Sequence, residues 1–273
     1  MPAAGLNRAE RAPDARAALG PLLERPERAA IVCDIDGTLA PIVARPEDAA
    51  VPRRARELLA ALAERYALVA CLSGRQATDA RRLVGLESIS YVGNHGLELL
   101  GPGRSDVETP VALSDQARLG RSFARAELPA LEPLGVAIED KDAIQAFHWR
   151  GAPDPGAAER ALKSVARRAA AEGLVPHWGR MVLEIRPPLD VDKGTAIAAA
   201  LAGRPIDRAL YAGDDTTDLD AFRKVHELRD AGRLAHAVCV GIASSEGPAQ
   251  IVAEADLVAE GTEGFLDLLE LLG

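Results

Sequence analysis

Cysteine is scarce in this chain, with three residues in 273. Cys33, Cys71 and Cys239 share no C-x-x-C spacing and are odd in number, which excludes a zinc ribbon and a disulfide framework. Each sits inside an apolar run that reads as a strand, so buried, reduced thiols in a cytoplasmic protein are expected. Basic residues are also short: 32 Lys and Arg face 41 Asp and Glu, a formal charge of -9. That balance argues against broad nucleic-acid binding, which needs a basic footprint. It also means that an anionic ligand must be drawn by a local cluster or a cation rather than by the overall field. No apolar run approaches the ~18 residues of a membrane span, and no signal-type apolar segment opens the sequence, so no membrane partner is expected. Internal repeats and low-complexity tracts are missing too. No G-x-G-x-x-G follows the first apolar strand, which weakens a dinucleotide-binding reading.

What is present is a substantial core, since 48% of the residues are hydrophobic, and a length that suits one large α/β domain or two modest ones. The stretch that organises the rest is IVCDIDGTLAPI, Ile31 to Ile42. An apolar run from Ala29 ends in Asp34, a second carboxylate follows at Asp36, and Gly37 permits a sharp turn that brings backbone N–H groups inward. Two aspartates at the end of a buried strand suit a phosphoryl group and a hard cation. Asp34 could attack phosphorus, Asp36 could move the proton of the leaving oxygen, and Mg²⁺ could offset the negative charge. Alone, the pair could equally be a solvated turn.

Apolar runs at Leu68–Leu72, Ile89–Gly93, Ala209–Ala212, Ala237–Ile242 and Asp256–Val258 alternate with helical patterns at Pro52–Arg65, up to Leu83, at Lys193–Leu201 and at Glu263–Leu272. That rhythm indicates a parallel sheet with helices on its faces. Residues up to about Pro13 read as a loose lead-in, with Asp14 capping a short helix that runs to about Leu23. From about Pro110 to Arg186 the rhythm breaks into helix, strand pair, helix, strand pair. The first pair is Leu134–Lys141 with Ala143–Arg150 around Asp142; the second is Leu174–Arg186, broken near Gly179. The expected organisation is a core of residues 1–108 and 188–273 interrupted by an α+β cap of residues 109–187.

In an open parallel sheet, ligands gather at the carboxyl ends of the strands. Four polar clusters fall there: Asp34 with Asp36; Ser73-Gly74-Arg75; Lys193-Gly194; and Gly213-Asp214-Asp215 with Thr216, Thr217 and Asp218. Together they hold a nucleophile, an acid, a hydroxyl, a lysine cation and metal-binding carboxylates, which is a complete set for phosphoryl transfer. Singly, Ser73 could be a helix cap, Lys193 a solvated lysine at a helix end and the aspartate run a solvated turn.

The order DxDGT, strand-end Ser, Lys, GDDxxD resembles the haloacid dehalogenase (HAD) superfamily of phosphatases, whose fold is an α/β, Rossmann-like parallel-sheet core with an inserted cap. The resemblance implies that Asp34 forms an aspartyl-phosphate and that Asp36 serves as acid and then base. It also implies that Ser73 and Lys193 hold the phosphate, and that Asp34, the Asp36 carbonyl and Asp214 bind Mg²⁺ with Asp215 or Asp218 beside them. Four further signatures, LSGR (Leu72–Arg75), GNHGLE (Gly93–Glu98), IEDKDAIQAFHWR (Ile138–Arg150) and GRMVLEIRPPLDVDKG (Gly179–Gly194), are similar to the trehalose-6-phosphate phosphatases. On that likeness Arg75, Asn94 and His95 join the substrate site, and Glu139, Lys141, Arg150, Arg180 and Glu184 contact the sugar. The family often has an aromatic residue where Val191 stands.

Read from the residues alone, Glu139 and Lys141 share a strand face, as do Arg180, Glu184 and Arg186. Such a face could bind the hydroxyls of a disaccharide, or it could be a solvated face with cross-strand ion pairs. Trp149 and Trp178 could pack a core or stack on a sugar ring, and His95 could orient its loop or touch substrate. The expectation is a monomeric, cytoplasmic, Mg²⁺-dependent trehalose-6-phosphate phosphatase, linked in function to a trehalose-phosphate synthase. The alternatives are a phosphatase for another sugar phosphate, of sucrose or mannosylglycerate type, and a non-catalytic sugar-phosphate sensor.

Overall fold

The computed structural model describes residues 8–43, 45, 48–109, 113–189, 191–244 and 247–273. Helix α1 (Arg8–Glu24) is followed by β1 (Ala29–Cys33), α2 (Arg53–Ala63), β2 (Leu68–Leu72), α3 (Ala77–Val84), β3 (Ser90–Gly93) and β4 (Glu98–Leu100). Then come α4 (Leu113–Leu131), β5 (Ala137–Lys141), β6 (Ile144–His148), α5 (Pro155–Ala171), β7 (Val175–Gly179) and β8 (Val182–Arg186). A third group comprises α6 (Lys193–Leu201), β9 (Arg208–Gly213), α7 (Asp218–Asp230), β10 (His236–Ala243), α8 (Ala249–Glu254), β11 (Leu257–Glu260) and α9 (Gly261–Glu270). These elements fall into two compact units, Met1–Glu108 with Val191–Gly273, and Thr109–Asp190.

The first unit is built on a seven-stranded sheet in the order β11-β10-β9-β1-β2-β3-β4. All neighbours are parallel except β3 and β4. Strands β1 (AAIVC) and β2 (LVACL) are buried at every position, as expected where helices cover both faces of a parallel sheet. Strand alternation divides the core. Ile31, Cys33 and Leu210 pack with Leu19, Leu59, Leu62 and Phe265 on one face. Val32 and Tyr211 pack with Ile197, Phe222 and Val225 on the other. From β1 the chain adds β2 and β3 on one side and later β9, β10 and β11 on the other. The order therefore reverses between β1 and β9, and a doubly wound sheet opens a crevice at such a switch point.

The second unit is a four-stranded antiparallel sheet, β5-β6-β8-β7. Phe147, Leu183, Trp149 and Ile185 pack against Phe123, Leu131, Leu162 and Val165 of its two helices.

Several expectations need correction. Helix α1 begins at Arg8, so Asp14 lies inside it rather than at its start; an Ala- and Arg-rich run propagates helix well. The rest of the expected lead-in, residues 1–7, and the expected helix start near Pro110 lie outside the described residues. Strand β5 begins at Ala137 rather than Leu134, because a 3-10 turn and Gly135, at φ +73°, come first. Strand β4 was not expected, being only three residues long. Helices α7 and α8 were not expected either; the acidic first turn of α7 reads as part of the polar turn before it.

Candidate active site

The end of β1 is shaped by one carbonyl. Ile35 O accepts the N–H groups of Thr38, Leu39 and Ala40, and Gly37 turns at φ +93°. Asp34 stays in line with the sheet, its N–H donating to Ala212 O at 2.9 Å. A side chain at position 37 would not fit, since a Cβ there would lie 2.0 Å from Asp214 Oδ2. The glycine thus brings the loop after β1 directly against the loop after β9.

Between these loops lies a buried charge network. Lys193, the first residue of α6, is 3% exposed and donates to Asp34 Oδ1 at 2.8 Å and to Asp218 Oδ1 at 2.6 Å. Its helix start is fixed by a capping box between Asp192 and Thr195. Asp218 is fully buried and saturated: Oδ1 also accepts the Tyr211 hydroxyl at 2.6 Å, and Oδ2 accepts the N–H groups of Asp214 and Asp215. Burial pulls the lysine's pKa down, but Asp218 and Asp34 more than offset it and hold the ammonium above its ordinary value. Burial, with Asp218 and Asp214 adding to it against Lys193, raises Asp34 well above the carboxylate range. Asp214 is pushed up to about 7 by burial and then by Asp218.

Those raised carboxyls reflect crowding that a cation would relieve. Oxygens of Asp34, Asp214 and Asp218 lie within 4.8 Å of one another. The donors are all hard oxygens, which fit Mg²⁺, and the Gly37 cradle leaves them room. Asp218, with both oxygens occupied, holds the lysine and the loop, leaving Asp34 and Asp214 as the carboxylates open to an ion. Asp215, expected among the metal ligands, is exposed, and its Oδ1 accepts the N–H and hydroxyl of Thr216. A second cluster, His226, Cys239 and Asp256, reads as a structural brace. Asp256 accepts from the Cys239 N–H and pairs with His226, and burial followed by Asp256 raises the thiol. All three cysteines are free and buried.

The loop after β2 carries Ser73 and Arg75. The parallel register of Cys33 with Cys71 and with Ala212 puts this loop at the same sheet edge as Asp34 and Asp214. Ser73 is buried and does not cap α3, which starts at Ala77 behind Gln76; its Oγ accepts the Arg75 N–H at 3.2 Å. The Arg75 guanidinium clamps Asp36 with two bonds of 2.7 Å. Asn94 and His95 follow β3 in left-handed conformations, φ +48° and +58°. Asn94, expected to contact substrate, is fully buried, and its amide donates to Glu98 at 2.6 Å. The half-buried His95 lays its ring against Gly74, where a Cβ would come within 2.8 Å of it.

In the second unit, cross-strand register decides which residues share a face. Glu139 lies opposite Ala146, and Ala146 opposite Glu184. Glu139, Lys141, Glu184 and Arg186 therefore occupy the face turned away from Phe147 and Leu183. Glu184 is 6% exposed; Oε1 accepts Lys141 Nζ at 3.0 Å and Oε2 accepts the Arg186 guanidinium at 2.7 and 3.0 Å. The hydrogen bond from His148, 2.9 Å away, lowers Glu139 despite partial burial. Arg150 is exposed beyond β6, and Arg180 sits in the β7–β8 turn with Met181 at φ +59°, not in the strand alternation expected of it. Trp178 pairs with Leu183, so it lies on the helix side and meets Trp149 edge-on at 5.8 Å. Trp149 is buried in the packing of this unit, whereas Trp178 is 42% exposed. The residues that the sequence reading did not single out are Tyr211, Glu98 and His148, while Arg186 was placed on the charged strand face but not among the sugar contacts.

Comparison with known proteins decides the family. The family model described as trehalose-phosphatase matches residues 32–254. The chain belongs to the trehalose-phosphatase family. Within it, the trehalose-phosphate phosphatase of Mycobacterium marinum is 36% identical over 224 residues, 78% of this chain and 56% of that protein. A Mycobacterium tuberculosis protein named as an uncharacterized glycosyl hydrolase is 35% identical over 205 residues, 72% of this chain and 15% of that protein. The chain thus spans about half the length of the curated trehalose-phosphate phosphatases it matches. Among solved structures, the C-terminal domain of C. albicans trehalose-6-phosphate phosphatase matches with TM-score 0.74 at 22% identity, covering 98% of this chain and 97% of that one. That likeness extends to the fold, a mostly parallel α/β core sheet with a separate antiparallel sheet.

Proposed function

We propose that the chain is a Mg²⁺-dependent phosphatase that hydrolyses trehalose 6-phosphate to trehalose and phosphate through an aspartyl-phosphate on Asp34. The observation that carries this reading is the buried Asp34–Lys193–Asp218 network at the switch point of the sheet, in a chain of the trehalose-phosphatase family. A lysine held charged beside a buried carboxylate prepares a place for a phosphoryl dianion next to its nucleophile.

In the first step a carboxylate oxygen of Asp34 attacks phosphorus, the bond to the sugar oxygen breaks, and Asp36 gives that oxygen a proton. In the second, Asp36 takes a proton from water as the water attacks phosphorus, and the Asp34 carboxylate leaves. Lys193 and Ser73 hold the phosphoryl oxygens. Asp34, Asp214 and the Asp36 carbonyl would hold Mg²⁺, which would supply charge neutralisation there. Arg75 has a second task. A phosphate competes with Asp36 for the same guanidinium fork, so arrival of substrate draws Arg75 off Asp36 and frees it for proton transfer.

We assign sugar recognition to Glu139, Lys141, Arg150, Arg180 and Glu184, with His95 at the loop beside Gly74. A buried carboxylate with two cationic neighbours, as at Glu184, is a preorganised acceptor for a sugar hydroxyl. The protein acts in the cytoplasm on this small molecule, downstream of a trehalose-phosphate synthase. The test is kcat/KM over trehalose 6-phosphate, sucrose 6-phosphate, mannosylglycerate phosphate and an aryl phosphate. A strong preference for trehalose 6-phosphate supports the reading; even activity over the set removes the substrate, and no release from any removes the enzyme.

A further inference from the structure

The loop that carries Ser73 and Arg75 leads into α3, whose N-cap residue, Gln76, makes no side-chain bond to the helix. That bond comes from another strand. Glu98, buried at the start of β4, accepts the Ala77 N–H on Oε2 at 2.7 Å and the Asn94 amide on Oε1 at 2.6 Å. Around it the two loops are zipped by backbone: Asn94 N–H to Arg75 O at 2.8 Å, and His95 N–H to Ser73 O at 3.0 Å. The fit is close, since a Cβ on Gly93 would lie 2.2 Å from Ala77 N.

We propose that Glu98 is a positioning residue for phosphate binding: its carboxylate caps α3 from β4 and sets the turn that aims Ser73 and Arg75. A carboxylate is acceptor-only and satisfies two donors at once, and its charge suits a helix N-terminus. An amide of the same shape cannot do both, because its NH₂ meets either the Ala77 N–H or the Asn94 NH₂ donor to donor. Glu98→Gln therefore opens the turn although it keeps the volume. Exchanging the partner as well, by Asn94→Asp, restores the match: the introduced amide accepts from Ala77 and donates to the introduced carboxylate.

The inference rests on the phosphatase reading, so the experiment uses an aryl phosphate, independent of any sugar, together with inorganic phosphate as a competitive inhibitor. Glu98→Gln is expected to raise KM and the inhibition constant for phosphate by about tenfold or more, and to speed amide exchange at Ala77. Asn94→Asp with Glu98→Gln is expected to return all three toward wild type. If Glu98→Gln does not fold, Glu98→Asp takes its place: the shorter acid cannot span both donors, and the same rise in KM is expected. Unchanged KM, a loss that tracks only the folded fraction, or a double variant no better than the single one would overturn the proposal. A wild-type protein inactive on every phosphate would instead overturn the phosphatase reading, and the exchange rate at Ala77 would still decide the role of Glu98.

Discussion

Asp218 and Asp214 stand four residues apart and do different work. Asp218 accepts from Lys193, Tyr211 and two backbone N–H groups, whereas Asp214 faces Gly37 and Thr38. Asp218→Asn would set an amide against donors and is expected to cost about 2–4 kcal/mol of stability, read as a lower midpoint in urea. Asp214→Asn is expected to leave stability near wild type and to raise the Mg²⁺ concentration needed for half-maximal activity; equal effects of the two would contradict the division. The family resemblance put Asp214 on the ion with Asp215 or Asp218 beside it, but the residues alone do not show what Asp218 holds, because that lies in which donors fold onto each oxygen. Tyr211 was invisible for the same reason. Its place two residues before Gly213 reads only as strand core, and its hydroxyl partner arrives from the next helix.

At the scale of elements, the sheet and its insertion were legible because buried parallel strands read as short apolar runs, and the first charge after β1, β2 and β9 marks the edge where ligands gather. Strand β4 was not legible, having neither length nor period. The turn after β1 makes a direct prediction. Gly37→Ala forces both φ +93° and a contact with Asp214, and is expected to cut kcat by about a hundredfold or more while near-wild-type circular dichroism shows that the sheet persists. Strand β8 makes another. Glu184→Ala is expected to lower kcat/KM on trehalose 6-phosphate at least about tenfold more than on an aryl phosphate, and equal losses would remove Glu184 from sugar recognition. The face it occupies could be read from alternation. Its burial and its pairing with Lys141 and Arg186 could not, since they depend on the register of three strands.

For the whole molecule, an acidic chain sets Lys193 and Arg75 among the carboxylates of the core unit, and Asp34, Asp214 and Asp218 stand crowded there. This has a consequence for stability. A carboxyl raised in the folded state stabilises the fold below its unfolded pKa, and that stabilisation is lost as pH rises through the folded value. For Asp214 the window runs from about 4 to about 7. Without Mg²⁺, repulsion in the cluster therefore grows across that range, and Mg²⁺ is expected to raise the melting temperature more at pH 8 than at pH 5. A gain that does not depend on pH would place the ion elsewhere. The central claim is that Asp34, with Mg²⁺, takes phosphate from trehalose 6-phosphate, and its most direct test is phosphate release by the wild type with Mg²⁺, the wild type with chelator, and Asp34→Asn. The account requires release in the first alone, with the variant folded and at least about a thousandfold slower; a folded Asp34→Asn protein that turns over, or a wild type indifferent to chelator, would contradict it.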